Sequence, residues 1–236
     1  MQLLTPLYAM LVFLEDRGKI DSIGLQSWGK NSSRGIIGKM EAMGLVDRNV
    51  INSSVEYSLS RKGFQFLNSI LDVIHRGIVH WDGKWRLLCF SIPEERRPLR
   101  DKFRRFIESL GLRPFLGGLW ITPLDCKKEL IEHASRLGIS NFIAVAETCE
   151  IFGQDTQKII AEWKFDKYRG LYEEFISESE ILLRSGNASR FEVKKMILNY
   201  ALILNNEPNM PIELLPQDWP KFRANLQYKK LKRVLG

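Results

Sequence analysis

The chain has 236 residues, with 35 Lys+Arg against 28 Asp+Glu, a formal net charge of +7 that suits an anionic partner without naming one. Hydrophobic content of 44% and charged content of 27% exclude a disordered or collagen-like chain and leave enough apolar residues for a sizeable core. Three widely spaced cysteines, Cys89, Cys126 and Cys149, form no CxxC pair, which excludes a zinc ribbon and argues against a disulfide framework, so a reducing cytoplasm is the expected compartment.

The first apolar run, Leu7 to Leu14, lacks a basic start and runs into Glu15-Asp16-Arg17. It reads as one helix face rather than a signal peptide, and no run approaches the ~20 apolar residues of a membrane span, so no membrane partner is expected. Thr5-Pro6 opens this helix and Gly18 closes it. Asp21 or Ser22 caps a short second helix carrying Ile23 and Trp28. A third helix is expected from about Ser32 to Met43, stopped by Gly44. On it Ser33, Ile36, Ile37, Met40 and Met43 share one face, and Asn31, Arg34, Gly35, Gly38 and Ala42 share the other, flanked by Lys39 and Glu41.

Leu45-Val46, a turn at Asn52-Ser53-Ser54, and Val55 to Leu59 predict a hairpin. Ser60 then caps a fourth helix with Phe64, Leu67, Ile70, Leu71 and Ile74 inward. Three helices, a hairpin and a helix is the order of a winged helix, whose third helix enters the DNA major groove while the wing touches the backbone. On that reading the DNA-binding residues are Asn31, Ser32, Arg34, Gly35, Gly38, Lys39 and Arg48. The small residues let the helix approach base edges, and the cations reach phosphate or guanine. Winged helices also serve as protein-interaction modules, and residues 1–63 carry eight Lys+Arg against six Asp+Glu, a modest excess.

From Trp81 to Pro93 the chain reads WDGKWRLLCFSIP. A turn at Asp82-Gly83, an apolar run from Trp85 to Ile92 and a closing proline predict the central strand of a sheet. Glu94 to Leu110 is then helical, with Leu99, Phe103, Phe106, Ile107 and Leu110 inward and Arg96, Arg97, Arg100, Lys102, Arg104 and Arg105 outside. Phe115 to Thr122 folds as a hairpin around Gly117-Gly118. Asp125 caps a helix with Leu130, Ile131, Ala134 and Leu137 inward, and Asn141 to Glu147 is a last strand. The order βαββαβ is that of a ferredoxin-like domain, a fold that hosts many functions.

From Asp155 a helical pattern runs to about Leu183, Ser185-Gly186-Asn187 breaks it, and Phe191 to Leu204 resumes it. Residues 209–220 are too rich in proline for a helix, and the last 16 residues carry six Lys/Arg and no acid. The expected class is α+β, in three parts: a winged helix over 1–76, a ferredoxin-like domain over 77–153 and a helical domain over 154–236.

Three separated motifs, WDGKWRLLCFSIPEERRPLRDKFRR (81–105), GGLWITP (117–123) and PIELLPQDWP (211–220), together with the YSLSRKG exit from the hairpin (57–63), resemble the PaaX family of bacterial transcriptional repressors. The resemblance covers nearly the whole chain. It implies a winged-helix reader, a ferredoxin-like centre and a helical C-terminal domain, acting as a homodimer on double-stranded operator DNA. It also implies an effector of the acyl-coenzyme A type. From the sequence itself, Arg96, Arg97 and Arg100 at the start of the arginine-rich helix are the candidate residues for its phosphates, the alternatives for that helix being a solvated face or a contact with DNA. The central domain is similar, too, to a small CRISPR-associated endoribonuclease family, whose metal-binding aspartate ends the first strand. Here that end is Phe90-Ser91-Ile92-Pro93, and Glu94-Glu95 stand at a helix start that favours carboxylates anyway. His75 and His80 are five apart, His133 beside Glu129 and Glu132 suits an exposed surface, and the cysteines read as core. No GxSxG, P-loop or HExxH occurs. No metal, cofactor or catalytic residue is therefore expected.

Overall fold

The computed structural model describes residues 3–26, 28, 32–51 and 54–236. They gather into two compact units, Met1–Arg76 with Asp166–Glu207 and Trp219–Gly236, and Gly77–Phe165 with Pro208–Asp218. The chain beyond residue 154 therefore contributes to both.

Pro6 sits in the first turn of α1 (Pro6–Arg17), where a missing N–H costs nothing, and Gly18 ends the helix at φ 79. A short strand follows, β1 (Lys19–Asp21), in a stretch that the sequence pattern treats as a connection; three residues offer no alternation to read. Asp21 Oδ1 accepts from the Gly24 N–H at 2.7 Å and starts α2 (Ser22–Gln26). After α3 (Ser32–Ala42), β2 (Val46–Ile51) and β3 (Ser54–Leu59) pair antiparallel, and β1 adds to the far side of β3 in the order β1-β3-β2. Asn52 and Ser53 of the expected turn lie outside the described residues.

Ser60 caps α4 (Arg61–Leu71), accepting from the Gly63 N–H at 3.0 Å while donating to Gly44 O at 2.7 Å. Gly63 is required there, since a Cβ would stand 2.1 Å from Leu45 O. Two residues expected inward are exposed. The packed stripe of α4 runs through Gly63, Leu67 and Ile70, which leaves Phe64 about 100° off it. Met43 falls after the last residue of α3, in the turn to Gly44.

The second unit begins with β4 (Trp85–Phe90), a 3-10 turn at Glu94–Arg96 and α5 (Arg97–Ser109). The α-helix starts later than expected because Pro98 has no N–H to bond back to Glu94. Then come β5 (Arg113–Pro114), β6 (Trp120–Thr122), α6 (Lys127–Arg136), β7 (Ile143–Thr148) and α7 (Thr156–Ile160). The sheet order is β5-β6-β4-β7 with every pair antiparallel, so β4 is interior, as its apolar run predicts. Leu88 and Ile92 pack with Phe103 and Ile107 of α5 and Leu130 and Ala134 of α6.

Ile131, expected inward, is 50% exposed because Leu130 and Ala134 occupy the packed stripe. Cys126, not Asp125, is the N-cap of α6. Of the cysteines read as core only Cys126 is buried. Cys89 sits beside the exposed Ala144 on the other side of β4 from Leu88, and Cys149 follows the end of β7. The proline-rich strap closes on this unit: the Ile212 N–H donates to Val79 O at 3.0 Å, and the Glu213 carboxylate accepts from the Trp81 N–H at 2.9 Å.

The long helix expected from Asp155 is broken. A 3-10 turn follows α7, Lys164 adopts a left-handed conformation at φ 51, and α8 (Asp166–Arg184) starts afresh. Trp163 is held inside by its Nε1–H, which donates to Gly111 O at 3.1 Å. Next, α9 (Arg190–Asn206) opens on a Ser189–Glu192 capping box, and α10 (Lys221–Leu235) ends the chain. Leu198, Ala201 and Leu202 of α9 share a core with Val12 of α1 and with Leu67, Ile70 and Val73. Lys194 reaches Glu15 at 2.6 Å and Asp16 at 3.0 Å, and the Asn205 Nδ2–H donates to Ile70 O at 2.8 Å. The described residues up to Arg76 thus pack with α8, α9 and α10 as one unit.

Candidate nucleic-acid interface

Burial fixes the orientation of α3. Ser33, Ile37 and Met40 face the core with Leu11, Leu14 and Leu45, and Ile36 packs at its edge. The end of the helix is clamped, since Lys62 Nζ donates to Met43 O at 2.7 Å and the Leu45 N–H to Met40 O at 2.8 Å. The other side is open: Arg34, Gly35, Gly38, Lys39, Glu41 and Ala42 are all exposed. A Cβ on Gly35 or Gly38 would meet nothing within 4 Å, so the helix backbone itself is accessible there. Among the described residues neither Arg34 nor Lys39 has an ion-pair partner. Free guanidinium and ammonium groups beside bare backbone can reach phosphate oxygens or the acceptor edge of guanine.

Arg34, Gly35, Gly38 and Lys39 therefore share one exposed helix surface. Arg48 is separate, exposed on the edge strand β2 opposite Tyr57. Asn31 lies outside the described residues, and of Ser32 only its place at the start of α3 is described. The Lys62 clamp is not among the expected site residues; the signal for it is the Ser60-Arg61-Lys62-Gly63 run directly after a strand.

The candidate effector arginines lie at the start of α5. Arg96 is exposed with its guanidinium 5.4 Å from the Phe142 ring centre. Arg97 is exposed and 4.0 Å from Asp101, while Arg100 donates to Glu94 at 2.6 Å. Two of the three thus have carboxylates at hand that an anionic ligand would have to displace.

Ionisable groups elsewhere in this unit have structural surroundings. Arg86, 3% exposed in its side chain, donates to Asp82 and stands 3.8 Å from both Asp125 and Glu147. The hydrogen bond from Arg86 holds the Asp82 carboxyl down at about 2. His133 is not the surface residue expected. Its ring stacks on Phe106 at 3.7 Å, its Nε2 is buried without a hydrogen-bond partner among the described residues, and burial lowers its pKa, helped by Arg136 and Lys102. Burial also pushes the Cys126 thiol up to about 11, where it stays protonated and unreactive. Among the described residues no group of three or more His, Cys, Asp or Glu is arranged to hold a metal ion, and no helix is long and apolar enough to cross a membrane.

Residues 79–160 match the family model of the PaaX protein central Cas2-like domain. The fold is similar to that of an uncharacterized protein, Rv0674, from Mycobacterium tuberculosis, with a TM-score of 0.58 over 99% of this chain and 96% of that one. Identity between the two is 15%, so this likeness concerns the fold alone. No curated protein matches the chain.

Proposed function

We propose, from the match of residues 79–160 to the PaaX central-domain model, that this chain is a PaaX-like transcriptional repressor that binds operator DNA as a homodimer in the cytoplasm. The observation that carries the reading is the two-sided character of α3. One side is locked into the core, and the other offers Arg34, Lys39 and the bare backbone at Gly35 and Gly38. The β2–β3 hairpin that follows three helices, with β1 added to the β3 side, supports a winged helix, with Arg48 on the wing and Ser32 at the start of α3. The antiparallel order β5-β6-β4-β7 with α5 and α6 on one side supports a ferredoxin-like centre. Two-fold symmetry would set two copies of α3 into successive major grooves about one helical turn apart.

An acyl-coenzyme A or similar anionic effector is proposed to engage Arg96, Arg97 and Arg100, exchanging the Glu94 and Asp101 carboxylates for its phosphates. The protein is read as a regulator and not as a nuclease. A gel-shift assay on the DNA upstream of its own gene, with and without acyl-coenzyme A, tests the reading. A retarded complex that dissolves on adding the ligand supports it, and no complex at low salt sinks it.

One observation favours a second reading, an interaction module. Val50 and Ile51 on β2 are 65% and 50% exposed, an apolar wing that DNA does not require. The same assay decides between the two.

A further inference from the structure

The unit that contains α3 also holds a cavity of about 230 Å³ that the DNA reading leaves unused. Its apolar lining comes from Leu171 of α8, Met196 and Ile203 of α9, and Leu3 and Leu4 just before α1. Its polar lining comes from two helices. Glu174 and Glu178 stand one turn apart on α8, and Lys195 and Asn199 one turn apart on α9, so each pair shares a helix face.

The carboxylates of α8 divide sharply. Glu173 is taken by Arg223, and Glu180 by Arg184 and the Gln227 amide. Among the described residues, Glu174 and Glu178 have no ion-pair partner. Lys195 lies 5.9 Å from the Phe191 ring centre. Among the described residues the lining thus carries two carboxylates against one ammonium, beside apolar side chains.

We propose that this cavity binds a small protonated primary amine with a short apolar tail. The ammonium sits between Glu174 and Glu178, with the Asn199 amide oxygen as a further acceptor, and the tail covers Leu171, Met196 and Ile203. A volume below the ~300 Å³ at which drug-sized pockets begin restricts the ligand to a short chain or a single ring. The site also touches the DNA-reading half of the unit. Leu3 and Leu4 pack against the core of Val12, Leu67, Leu198 and Leu202, so a ligand lying on them contacts the segment that seats α1. It can alter DNA affinity only through unequal binding to the two states. That consequence rests on the repressor reading; the binding does not.

Titration calorimetry on the full chain without DNA tests the site, with hexylamine and 2-phenylethylamine as probes and hexanoate as an anion with a comparable tail. Both amines are expected to bind and hexanoate to give no heat. Glu174→Gln and Glu178→Gln, both exposed and so without cost to the fold, should each weaken the amines about tenfold, the loss of one charge-assisted contact. Unchanged circular dichroism confirms that the variants are folded. No heat from either amine at millimolar concentration, equal binding of hexanoate, or undiminished binding by both variants would overturn the proposal. Amine binding by a protein that shifts no DNA would leave this site standing and remove the repressor reading.

Discussion

Arg86 donates hydrogen bonds to both carboxylate oxygens of Asp82, four residues earlier, across the turn that begins the central strand. A guanidinium with 3% side-chain exposure is there because one carboxylate matches its fork and two more stand 3.8 Å away. Asp82→Ala removes the bidentate partner of a buried guanidinium and should cost about 1–2 kcal/mol in urea denaturation, less than a fully buried pair because Asp82 is half exposed and Asp125 and Glu147 remain nearby. Asp82 is held at about 2 against an unfolded value of 3.8, so its contribution is complete above pH ~4 and fades as pH falls towards 2. Wild type should lose stability across that window more steeply than Asp82→Ala.

Gly38→Ala separates folding from DNA recognition. The added methyl meets nothing within 4 Å, so the helix should gain about 0.5–1 kcal/mol. If α3 lies against base edges, operator affinity falls although stability rises. Lys39→Ala should flatten the salt dependence of binding by about one unit of slope if it touches phosphate, and Arg34→Ala should relax specificity by about 1–3 kcal/mol if it reads a base. Unchanged affinity in all three variants would place DNA elsewhere.

His133 gives the fold an acid limit. Burial lowers its folded pKa below 6.5, so the unfolded chain takes up the proton first. Stability from this residue is present above pH 6.5 and decreases as pH falls below it. His133→Phe keeps the stack on Phe106 and should have a denaturation midpoint that changes less between pH 7.5 and 5.5 than that of wild type.

Glu207 is a buried hub, accepting from Tyr172 Oη at 2.9 Å, Trp219 Nε1 at 2.8 Å and Lys221 Nζ at 2.6 Å. Glu207→Ala strips three donors of their acceptor and should cost about 3–5 kcal/mol, with the Trp219 fluorescence changed in the folded state.

Much of this architecture is legible in the sequence because the signals are local. The apolar run from Leu87 to Phe90 puts β4 inside its sheet, and the helical spacing of Ser33, Ile37 and Met40 is enough to orient α3. What is not legible depends on partners distant in sequence. A three-residue strand such as β1 exists only because β3 offers it an edge. Arg86, second in β4, reads like a surface residue, and its burial depends on Asp125, Glu147 and the Pro123 carbonyl arriving from later in the chain to join Asp82. Glu174 and Glu178 look like any solvated helix face until α9 and Leu3–Leu4 enclose the space beside them. The α3 site is readable because it is one helix; the cavity is not, because three separate segments make it.

The contact between α1 and α9 has a consequence for how the chain is made. Lys194 meets Glu15 across 179 positions of sequence, and Val12 waits for Leu198 to complete its core. During synthesis the first helices leave the ribosome long before α9 exists, and most of the second unit emerges in between. The apolar side of α1 and α4 is uncovered for that interval, and pairings of such long range form slowly. Cutting the chain after Arg76, the boundary that the sequence pattern suggests, makes that interval permanent. The expected outcome for such a fragment is aggregation, and the smallest soluble form of the unit that holds α3 must carry α9 with it.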